Sequence, residues 1–437
     1  MRYFSTNNDA PAVTLTEAVF KGLAPDRGLY MPEHINRMPD TFFENISNMS
    51  FQEIACHVAD CLFGEDIQAD DLHSMVCDTL SFNCPIVKVY DNIWSLELFH
   101  GPTLAFKDVG ARFMARMLSH IIRKQTDKTI GDINVLVATS GDTGSAVANG
   151  FFDVDGVNVY VLYPKGKVSK MQENQFATLG HNIMALEVEG TFDDCQALVK
   201  EAFADTNLNK RVILTSANSI NVARLLPQTF YYFNAYAQIK KLGLDKHLVV
   251  SVPSGNLGNL AAGLIAKHMG LPVSRFIAAN NANDVFFKYL KTGIYSPRHS
   301  ILTIANAMDV GAPSNFARII SLYENSYQAV TEHVSGATCN DTEIECSMSE
   351  CYKETGYILD PHGACAWRAL KENLHEGETG IFLETAHPAK FKPTVEKAIG
   401  TTVNMPQRLA AYGGRQKMSR PISNSYDELR SIIESNH

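Results

Sequence analysis

From Pro85 onward, apolar runs rich in Val, Ile and Tyr alternate with stretches of helical periodicity. Parallel strands joined by helices produce this alternation, whereas antiparallel hairpins follow one strand directly with another. The pattern therefore predicts an α/β protein built on parallel sheet. The predicted strands are residues 133–140, 157–164, 182–190, 211–218, 247–254, 274–281 and 380–387.

Helix signals accompany the strands. Ser50 and Glu53 form the pattern of a capping box at the start of one helix, and Thr191 is the predicted N-cap of another. Residues 1–80 are predicted to be a mixed region, with a short helix within 14–25 and an irregular segment at 26–35. The acidic segment 335–355 predicts either a helix with an exposed face or an inserted segment, with solvated surface as the favoured interpretation.

Composition narrows the classes of partner. The 437 residues carry a net charge of −9 without a long basic run, so neither nucleic acid nor an anionic membrane is an expected partner. Nine cysteines without a Cys-x-x-Cys pair indicate reduced thiols, and the first residues lack the apolar core of a signal peptide. We therefore expect a cytoplasmic protein of two or three domains, without a metal.

Three of the predicted strands end in small polar residues that lead into a helix. The backbone N–H groups of such turns suit an anion, and ligands of open α/β proteins gather at the carboxyl ends of strands. None is a Walker loop or a Gly-x-Gly-x-x-Gly fingerprint, which argues against a nucleotide. Taken singly, each is equally explained as a packing turn or a capped helix. The three turns are residues 140–144, 216–228 and 254–259.

Lys107, in "HGPTLAFKD", is the least expected basic residue of the chain. It stands directly after Phe106 at the predicted start of an amphipathic helix, where the helix dipole disfavours a cation. From the residues alone, two interpretations stay open. Either the side chain reaches solvent or pairs with Asp108, or its amine has a chemical task.

One cofactor explains the lysine and the three turns together. The aldehyde of pyridoxal phosphate forms a Schiff base with a lysine amine, and a helix N-terminus and an apolar wall both favour the neutral amine that this requires. Its phosphate needs a glycine-rich cradle, and its ring nitrogen and phenolic oxygen need polar partners. The sequence therefore predicts pyridoxal 5'-phosphate as the cofactor.

Several motifs carry a family resemblance. "HGPTLAFKD", "ATSGDTG", "PSGNLGNL" and "LETAHPAKF" resemble the longer type of threonine synthase, a fold-type II pyridoxal-phosphate enzyme family. "DRGLYMPE", "LYPKGKVSKMQ" and "NSINVARLLPQ" extend the likeness from residue 1 to about residue 400. It implies a fold like the β subunit of tryptophan synthase: two open twisted parallel-sheet domains with the cofactor between them, plus a small N-terminal domain. The expected bounds are 1–80 for the N-terminal domain, 81–111 and 215–437 for the large domain, and 112–214 for the small one.

The resemblance also implies the cofactor contacts. Lys107 would form the Schiff base, and Thr385 would meet the ring nitrogen, although a hydroxyl at a strand end also commonly bonds the backbone. Asp142 stands where many relatives carry Asn near the phenolic oxygen, and an ionised acid cannot donate a hydrogen bond there. The residues expected to hold the cofactor phosphate are Gly255, Asn256, Leu257, Gly258 and Asn259.

The resemblance places the substrate beside a second group of donors. Arg224 is the cation of this group. Two lysines, Lys165 and Lys167, either attract the dianionic substrate by their charge or are simply solvated. An Arg among hydroxyls and amides suits a phosphate or carboxylate. The residues expected to bind the substrate are Ser140, Thr143, Asn218, Ser219 and Arg224.

The implied reaction converts O-phospho-L-homoserine and water to L-threonine and phosphate, by γ-elimination and β-addition of water, in threonine biosynthesis. Such an enzyme is a lyase acting on a small molecule. Two alternatives remain: a related lyase that releases a 2-oxo acid and ammonia, and a non-catalytic protein that binds small anions. The oligomeric state, monomer or homodimer, stays open.

Overall fold

The computed structural model describes residues 1–124 and 132–435. Its strands, in chain order, are β1 (Tyr3–Ser5), β2 (Tyr30–Pro32), β3 (Ile86–Tyr90), β4 (Ile93–Glu97), β5 (Ile133–Ala138), β6 (Val157–Pro164), β7 (Ile183–Val188), β8 (Ile213–Ser216), β9 (Leu248–Pro253), β10 (Arg275–Asn280), β11 (Val334–Thr338), β12 (Thr379–Glu384) and β13 (Arg420–Ile422).

Helices connect most of these strands. In chain order they are α1 (Leu15–Lys21), α2 (Asp40–Asn45), α3 (Phe51–Phe63), α4 (Ala69–Thr79), α5 (Lys107–Lys124), α6 (Asp142–Gly150), α7 (Lys170–Ala177), α8 (Phe192–Ala204), α9 (Val222–Leu225), α10 (Thr229–Lys241), α11 (Gly258–His268), α12 (Val285–Thr292), α13 (Phe316–Leu322), α14 (Tyr327–His333), α15 (Asp341–Thr355), α16 (Pro361–Asn373), α17 (Lys392–Ile399), α18 (Gln407–Ala410) and α19 (Tyr426–Ser435). Within the described ranges, no helix has the length and hydropathy needed to cross a membrane.

The first compact unit contains a five-stranded parallel sheet. The unit comprises residues 1–30, 107–224 and 406–437, and its strand order is β13-β7-β6-β5-β8. Every residue of β5 is buried, as is nearly all of β6, because helices cover parallel strands on both faces. That burial explains the unbroken apolar runs in the sequence. Leu136, Leu162, Leu186, Leu198 and Ile432 belong to one core cluster of the sheet with α8 and α19.

The second compact unit contains a six-stranded sheet. The unit comprises residues 31–106 and 225–405, and its strand order is β11-β10-β9-β12-β4-β3. All neighbours are parallel except β3 and β4, which form an antiparallel pair. The strands β9 and β12 are buried along their whole length. Helix α16 is held to this sheet by a 2.8 Å hydrogen bond from Oγ of Ser251 to the carbonyl oxygen of Ala366.

The seven predicted strands are confirmed, and the parallel α/β fold with them. Their ends are shorter than predicted where polar residues leave the ladder, as in 211–218, of which only 213–216 pair. Six strands were not predicted: β1, β2, β3, β4, β11 and β13. The strands β1 and β2 form a separate two-stranded sheet, β3, β11 and β13 are edge strands with one unpaired side, and β4 lies next to an edge.

The compact units begin and end at other residues than the predicted domains. Helix α1 lies against β8, since Oγ1 of Thr215 and Nδ2 of Asn221 both donate to the carbonyl oxygen of Val19, at 2.8 and 2.9 Å. At the other end of the chain, β13 pairs with β7. Residues 1–30 and 406–437 therefore belong with the five-stranded sheet, and 31–80 with the six-stranded one. The three-domain division stays a prediction.

Both predicted helix caps are confirmed. Ser50 with Glu53, and Thr191 with Asp194, form complete capping boxes at the starts of α3 and α8. The acidic segment 335–355 forms β11 and α15, so the helical interpretation is correct. The favoured interpretation as solvated surface holds for one face only, because Ile344, Ser347, Met348 and Cys351 are buried.

Candidate active site

Lys107 is the first residue of α5, as the sequence predicts. The loop before it is anchored within the second unit: the backbone N–H of Phe106 donates to the carbonyl oxygen of Thr385 at 2.9 Å. Nζ of the buried Lys390 donates to the carbonyl oxygen of Thr103 at 2.8 Å. The residue immediately before Lys107 is therefore fixed to the strand end that carries Thr385.

The turn after β5 is built by a residue that the sequence did not single out. Oγ1 of Thr139 accepts hydrogen bonds from the N–H groups of Gly141 and Gly144, at 2.9 and 2.8 Å. Two of the backbone donors predicted to face an anion are therefore already used. The remaining candidates of this turn, Ser140 and Thr143, are half-buried at the carboxyl end of the sheet.

Asp142 begins α6 and is buried. Nε2 of Gln172 donates a 2.9 Å hydrogen bond to its Oδ1. A Cβ atom at Gly141 would lie 2.4 Å from Cδ of the same Gln172, so the glycine is required for this approach. The carboxylate therefore acts as an acceptor toward Gln172.

The tips of β5 and β8 are joined by Asn218. Its Nδ2 donates to the carbonyl oxygen of Ala138 at 3.2 Å, and its N–H donates to Oγ of Ser216 at 3.3 Å. This amide therefore positions the strand ends, which brings the 140–143 turn beside Asn218 and the half-buried Ser219.

Arg224 lies in the short helix α9 and is only 3% exposed. Its Nη1 donates to the carbonyl oxygen of Ala217. A Cβ atom at Gly110 would lie 2.5 Å from the carbonyl oxygen of Arg224, so α5 passes very close to α9. Burial lowers the pKa of Arg224 to about 10, while the nearby Asp108 carboxylate raises it. The first unit therefore places a buried guanidinium, still charged at neutral pH, beside the start of α5.

Lys165 and Lys167 lie on the surface. Nζ of Lys165 forms a 3.0 Å ion pair with Glu189. Both side chains are exposed, which favours the solvated alternative over a role in drawing the substrate in.

In the second unit, the turn after β9 leads directly into the N-terminus of α11. Leu257 has a left-handed φ of 61° and caps α11 without a side-chain hydrogen bond. The first N–H groups of a helix have no partner within it. The carbonyl oxygen of Asn256 accepts from Nδ2 of Asn315 at 3.0 Å, and its Oδ1 accepts from the N–H of Ser314 at 2.6 Å. These bonds hold the turn against residues 314–315.

Gly255 serves the packing of this turn. A Cβ atom there would lie 2.7 Å from Cα of Met308 and 3.0 Å from the carbonyl oxygen of Ala307. The glycine was predicted for close approach to a phosphate, and the structure shows that it is needed for the contact with residues 307–308.

Asn259 provides the clearest sign of a ligand. Its Oδ1 accepts hydrogen bonds from the hydroxyls of Tyr231 and Tyr232, at 2.7 and 2.6 Å. Both tyrosines are fully buried, which raises their pKa well above the usual value and keeps them as donors. Its Nδ2 is buried and has no hydrogen-bond partner among the described residues. A buried donor beside a helix N-terminus fits the phosphate of the predicted cofactor. The two tyrosines, 28 and 27 residues away, gave no signal in the sequence.

Thr385 is buried directly after β12. The preceding Glu384 is fully buried, and its Oε1 accepts a 2.5 Å hydrogen bond from the N–H of Asp360. Burial, together with the Asp360 carboxylate, raises the pKa of Glu384 well above its usual range. Two buried carboxyl groups, those of Asp360 and Glu384, therefore lie at the strand end that carries Thr385. The sequence indicated only the threonine.

Comparisons with known proteins cover nearly the whole chain. Three family models match: "Pyridoxal-phosphate dependent enzyme" over residues 86–384, "Threonine synthase N terminus" over 2–80, and "Threonine synthase, C-terminal" over 363–433. The threonine synthase of Haemophilus influenzae is 43% identical over 433 residues, which cover 99% of either chain.

Two solved structures are similar over the full length. The crystal structure of threonine synthase from Escherichia coli is 41% identical with a TM-score of 0.92, and the match covers 100% of both chains. A structure of pyridoxal-phosphate-bound threonine synthase from Brucella melitensis is 32% identical with a TM-score of 0.92, covering 100% of this chain and 99% of the other.

Proposed function

The chain belongs to the threonine synthase family of pyridoxal-phosphate-dependent enzymes, and from this premise we propose how its residues convert O-phospho-L-homoserine and water to L-threonine and phosphate. The predictions of a fold-type II enzyme, a lyase, and pyridoxal phosphate as cofactor are confirmed. The single observation that carries the residue assignments is the position of Lys107, at the start of α5 and directly after a residue bonded to Thr385.

The donors of the second unit fit the cofactor phosphate. The turn 255–259 presents backbone N–H groups at the start of α11, and Nδ2 of Asn259 is a buried donor without a partner in the described structure. Backbone donors without a cation suit a group that stays bound through many turnovers. Thr385 would meet the ring nitrogen, and Asp142 would lie near the phenolic oxygen.

Pyridoxal phosphate, when bound, stores the electrons released as a carbon of the substrate loses a proton. The amine of Lys107 would have two roles. It anchors the cofactor covalently, and as a released amine it moves protons at the α- and β-carbons of the substrate. Thr385 contributes a neutral hydroxyl, which does not favour a protonated ring nitrogen and so limits competing transamination.

Arg224 is the proposed binding group for the leaving phosphate. Its guanidinium is buried beside the turn of Asn218 and Ser219, and it stays charged at neutral pH because its pKa is lowered only to about 10. A planar guanidinium offers two parallel donors to a phosphate oxygen pair. Ser140 and Thr143, at the neighbouring strand tip, would complete the contacts to the substrate.

Product identification tests the proposal. The purified protein, loaded with pyridoxal phosphate, should convert O-phosphohomoserine to equal amounts of threonine and inorganic phosphate, without a 2-oxo acid or ammonia. The matched control is Lys107→Ala, which should form neither product. Release of a 2-oxo acid and ammonia would establish the alternative lyase. A protein that stays colourless with added pyridoxal phosphate would point to a non-catalytic anion-binding protein.

We also propose that the enzyme acts in the cytoplasm. All nine cysteines lie in the described ranges and are present as unpaired thiols, which is typical of a reducing compartment. Cell fractionation with an antibody to the chain tests this location.

A further inference from the structure

A buried pair, Asp360 and His362, stands at the N-terminus of α16. Asp360 is the N-cap, and its Oδ1 accepts from the N–H and from Nδ1 of His362, at 2.7 and 2.5 Å. Its Oδ2 accepts from the N–H of Ala386 at 3.3 Å. Asp360 is 0% and His362 2% exposed. One oxygen of the carboxylate therefore accepts hydrogen bonds from the histidine, and the other accepts one from the segment after Thr385.

Nε2, the second ring nitrogen of His362, forms a hydrogen bond with a different segment. The N–H of Ala307 donates to Nε2 of His362 at 3.1 Å. Because a backbone N–H can only donate, Nε2 must be the acceptor, and the ring proton lies on Nδ1, where it is donated to Asp360. This arrangement defines one tautomer of a neutral imidazole.

The two segments held by this pair both adjoin proposed cofactor contacts. Ala386 follows Thr385, and residues 307–308 form the wall against which Gly255 packs, with 2.7 Å between Cα of Met308 and a Cβ at that position. The wall is held at a second point, where Asp309 accepts from the N–H and the hydroxyl of Thr303, at 2.9 and 2.7 Å.

We propose that Asp360 and His362 are positioning residues for the cofactor. Through the chain Ala307–His362–Asp360–Ala386, they fix the distance between the phosphate-binding turn at 255–259 and the hydroxyl of Thr385. Neither residue is assigned a contact with the substrate. This inference rests on the proposed function, since it takes the turn and Thr385 as the cofactor contacts.

Three variants and one control test the pair. Asp360→Asn offers only one oxygen, so it cannot accept from both His362 and Ala386. His362→Asn keeps a donor near Nδ1 but removes the acceptor for Ala307, whereas His362→Gln places an oxygen near Nε2 and restores it. Ser251→Ala is the matched control, because it removes another buried hydrogen bond to α16 without touching either segment. For each protein, pyridoxal phosphate is titrated into the apo form, and the thermal midpoint and absorption maximum are recorded.

We expect Asp360→Asn and His362→Asn to weaken pyridoxal-phosphate binding about 10- to 100-fold, the loss that is typical at metal sites when a partner that orients a binding residue is removed. His362→Gln should recover part of the affinity. Ser251→Ala should lower the thermal midpoint and leave the affinity unchanged. Folded Asp360→Asn and His362→Asn proteins with wild-type affinity and absorption would overturn the proposal, and so would an equal loss of affinity in Ser251→Ala.

If the variants do not fold, a measurement on the wild-type protein still tests the proposal. Hydrogen exchange of peptides containing Ala307 and Ala386 should slow together when pyridoxal phosphate binds, and no slowing of either would overturn the proposal. Failure of the wild-type protein to bind pyridoxal phosphate would instead overturn the proposed function itself.

Discussion

Nε2 of Gln172 donates a hydrogen bond of 2.9 Å to Oδ1 of Asp142, at the first residue of α6. The pair spans 30 residues and is buried. An acid at position 142 departs from the Asn that the family resemblance suggests. The amide of Gln172 supplies the donor that such an acid needs when it is taken out of water.

Asp142→Asn tests whether the acid is required. An asparagine can still accept from Gln172 through Oδ1, and it adds a donor on its other side. We expect the affinity for pyridoxal phosphate to stay equal or to increase, and threonine formation to persist. Asp142→Ala, as the control, should lose affinity because it leaves the amide of Gln172 unpaired. Loss of affinity in the Asn variant comparable to that in the Ala variant would contradict this account.

Gly141→Ala should destabilise the first unit. The residue has a φ of 143°, and its added Cβ would lie 2.4 Å from Gln172. Backbone strain and overpacking each cost about 1–3 kcal/mol. Gly166→Ala is the matched control, because its φ is 69° and nothing lies within 4 Å of the added Cβ, so only about 1–2 kcal/mol is expected. Urea unfolding of the two variants compares these costs, and equal costs would disprove the close contact.

Arg224→Ala should leave the absorption of the bound cofactor intact and reduce activity on O-phosphohomoserine severely. Losing a charge-assisted contact costs about 2–5 kcal/mol, or roughly 30- to several-thousand-fold in kcat/KM. Arg224→Lys should recover only part, because a point charge replaces a two-pronged donor. Arg211→Ala, which removes an exposed ion pair with Glu434, serves as the control. Normal turnover with lost cofactor in Arg224→Ala would mean that the two phosphates had been assigned the wrong way round.

The stability of the Glu384→Gln variant, relative to the wild type, should increase as the pH rises. The pKa of Glu384 is raised above the unfolded value of 4.5 by burial and by Asp360, so the folded chain holds this proton more tightly. The stability from that proton is full below pH 4.5 and is lost as the pH rises toward the folded pKa. The free energy of unfolding of the Gln variant, relative to the wild type, should therefore grow by up to about 1.4 kcal/mol per pH unit. A constant difference from about pH 5 to about pH 8 would show that Glu384 titrates normally.

Seven strands of the two sheets could be predicted because buried parallel strands form continuous apolar runs in the sequence. The strand β13 could not: three residues containing a proline carry no periodic signal, and only pairing with β7 defines them. The grouping of residues 406–437 with the five-stranded sheet could not be predicted for the same reason. Contacts between distant segments decide which unit such a strand joins.

Residues that lie in local motifs could be proposed for the site from the sequence, Lys107 and the 255–259 turn above all. The residues that hold them were not found. Tyr231 and His362 lie far along the chain from the groups they bind, Asn259 and Ala307, and each looks like an ordinary buried side chain. The need for glycine at position 255 could not be predicted either, because the contact that requires it is with Met308, which is 53 residues away.

The central claim is that Lys107 binds the cofactor covalently, and chemical trapping tests it most directly. The protein loaded with pyridoxal phosphate is reduced with borohydride, digested and mapped by mass spectrometry. We predict a reduced pyridoxyl group on Lys107 and a loss of the trapped product in Lys107→Ala. A pyridoxyl group found on any other lysine of the wild-type chain would contradict the assignment.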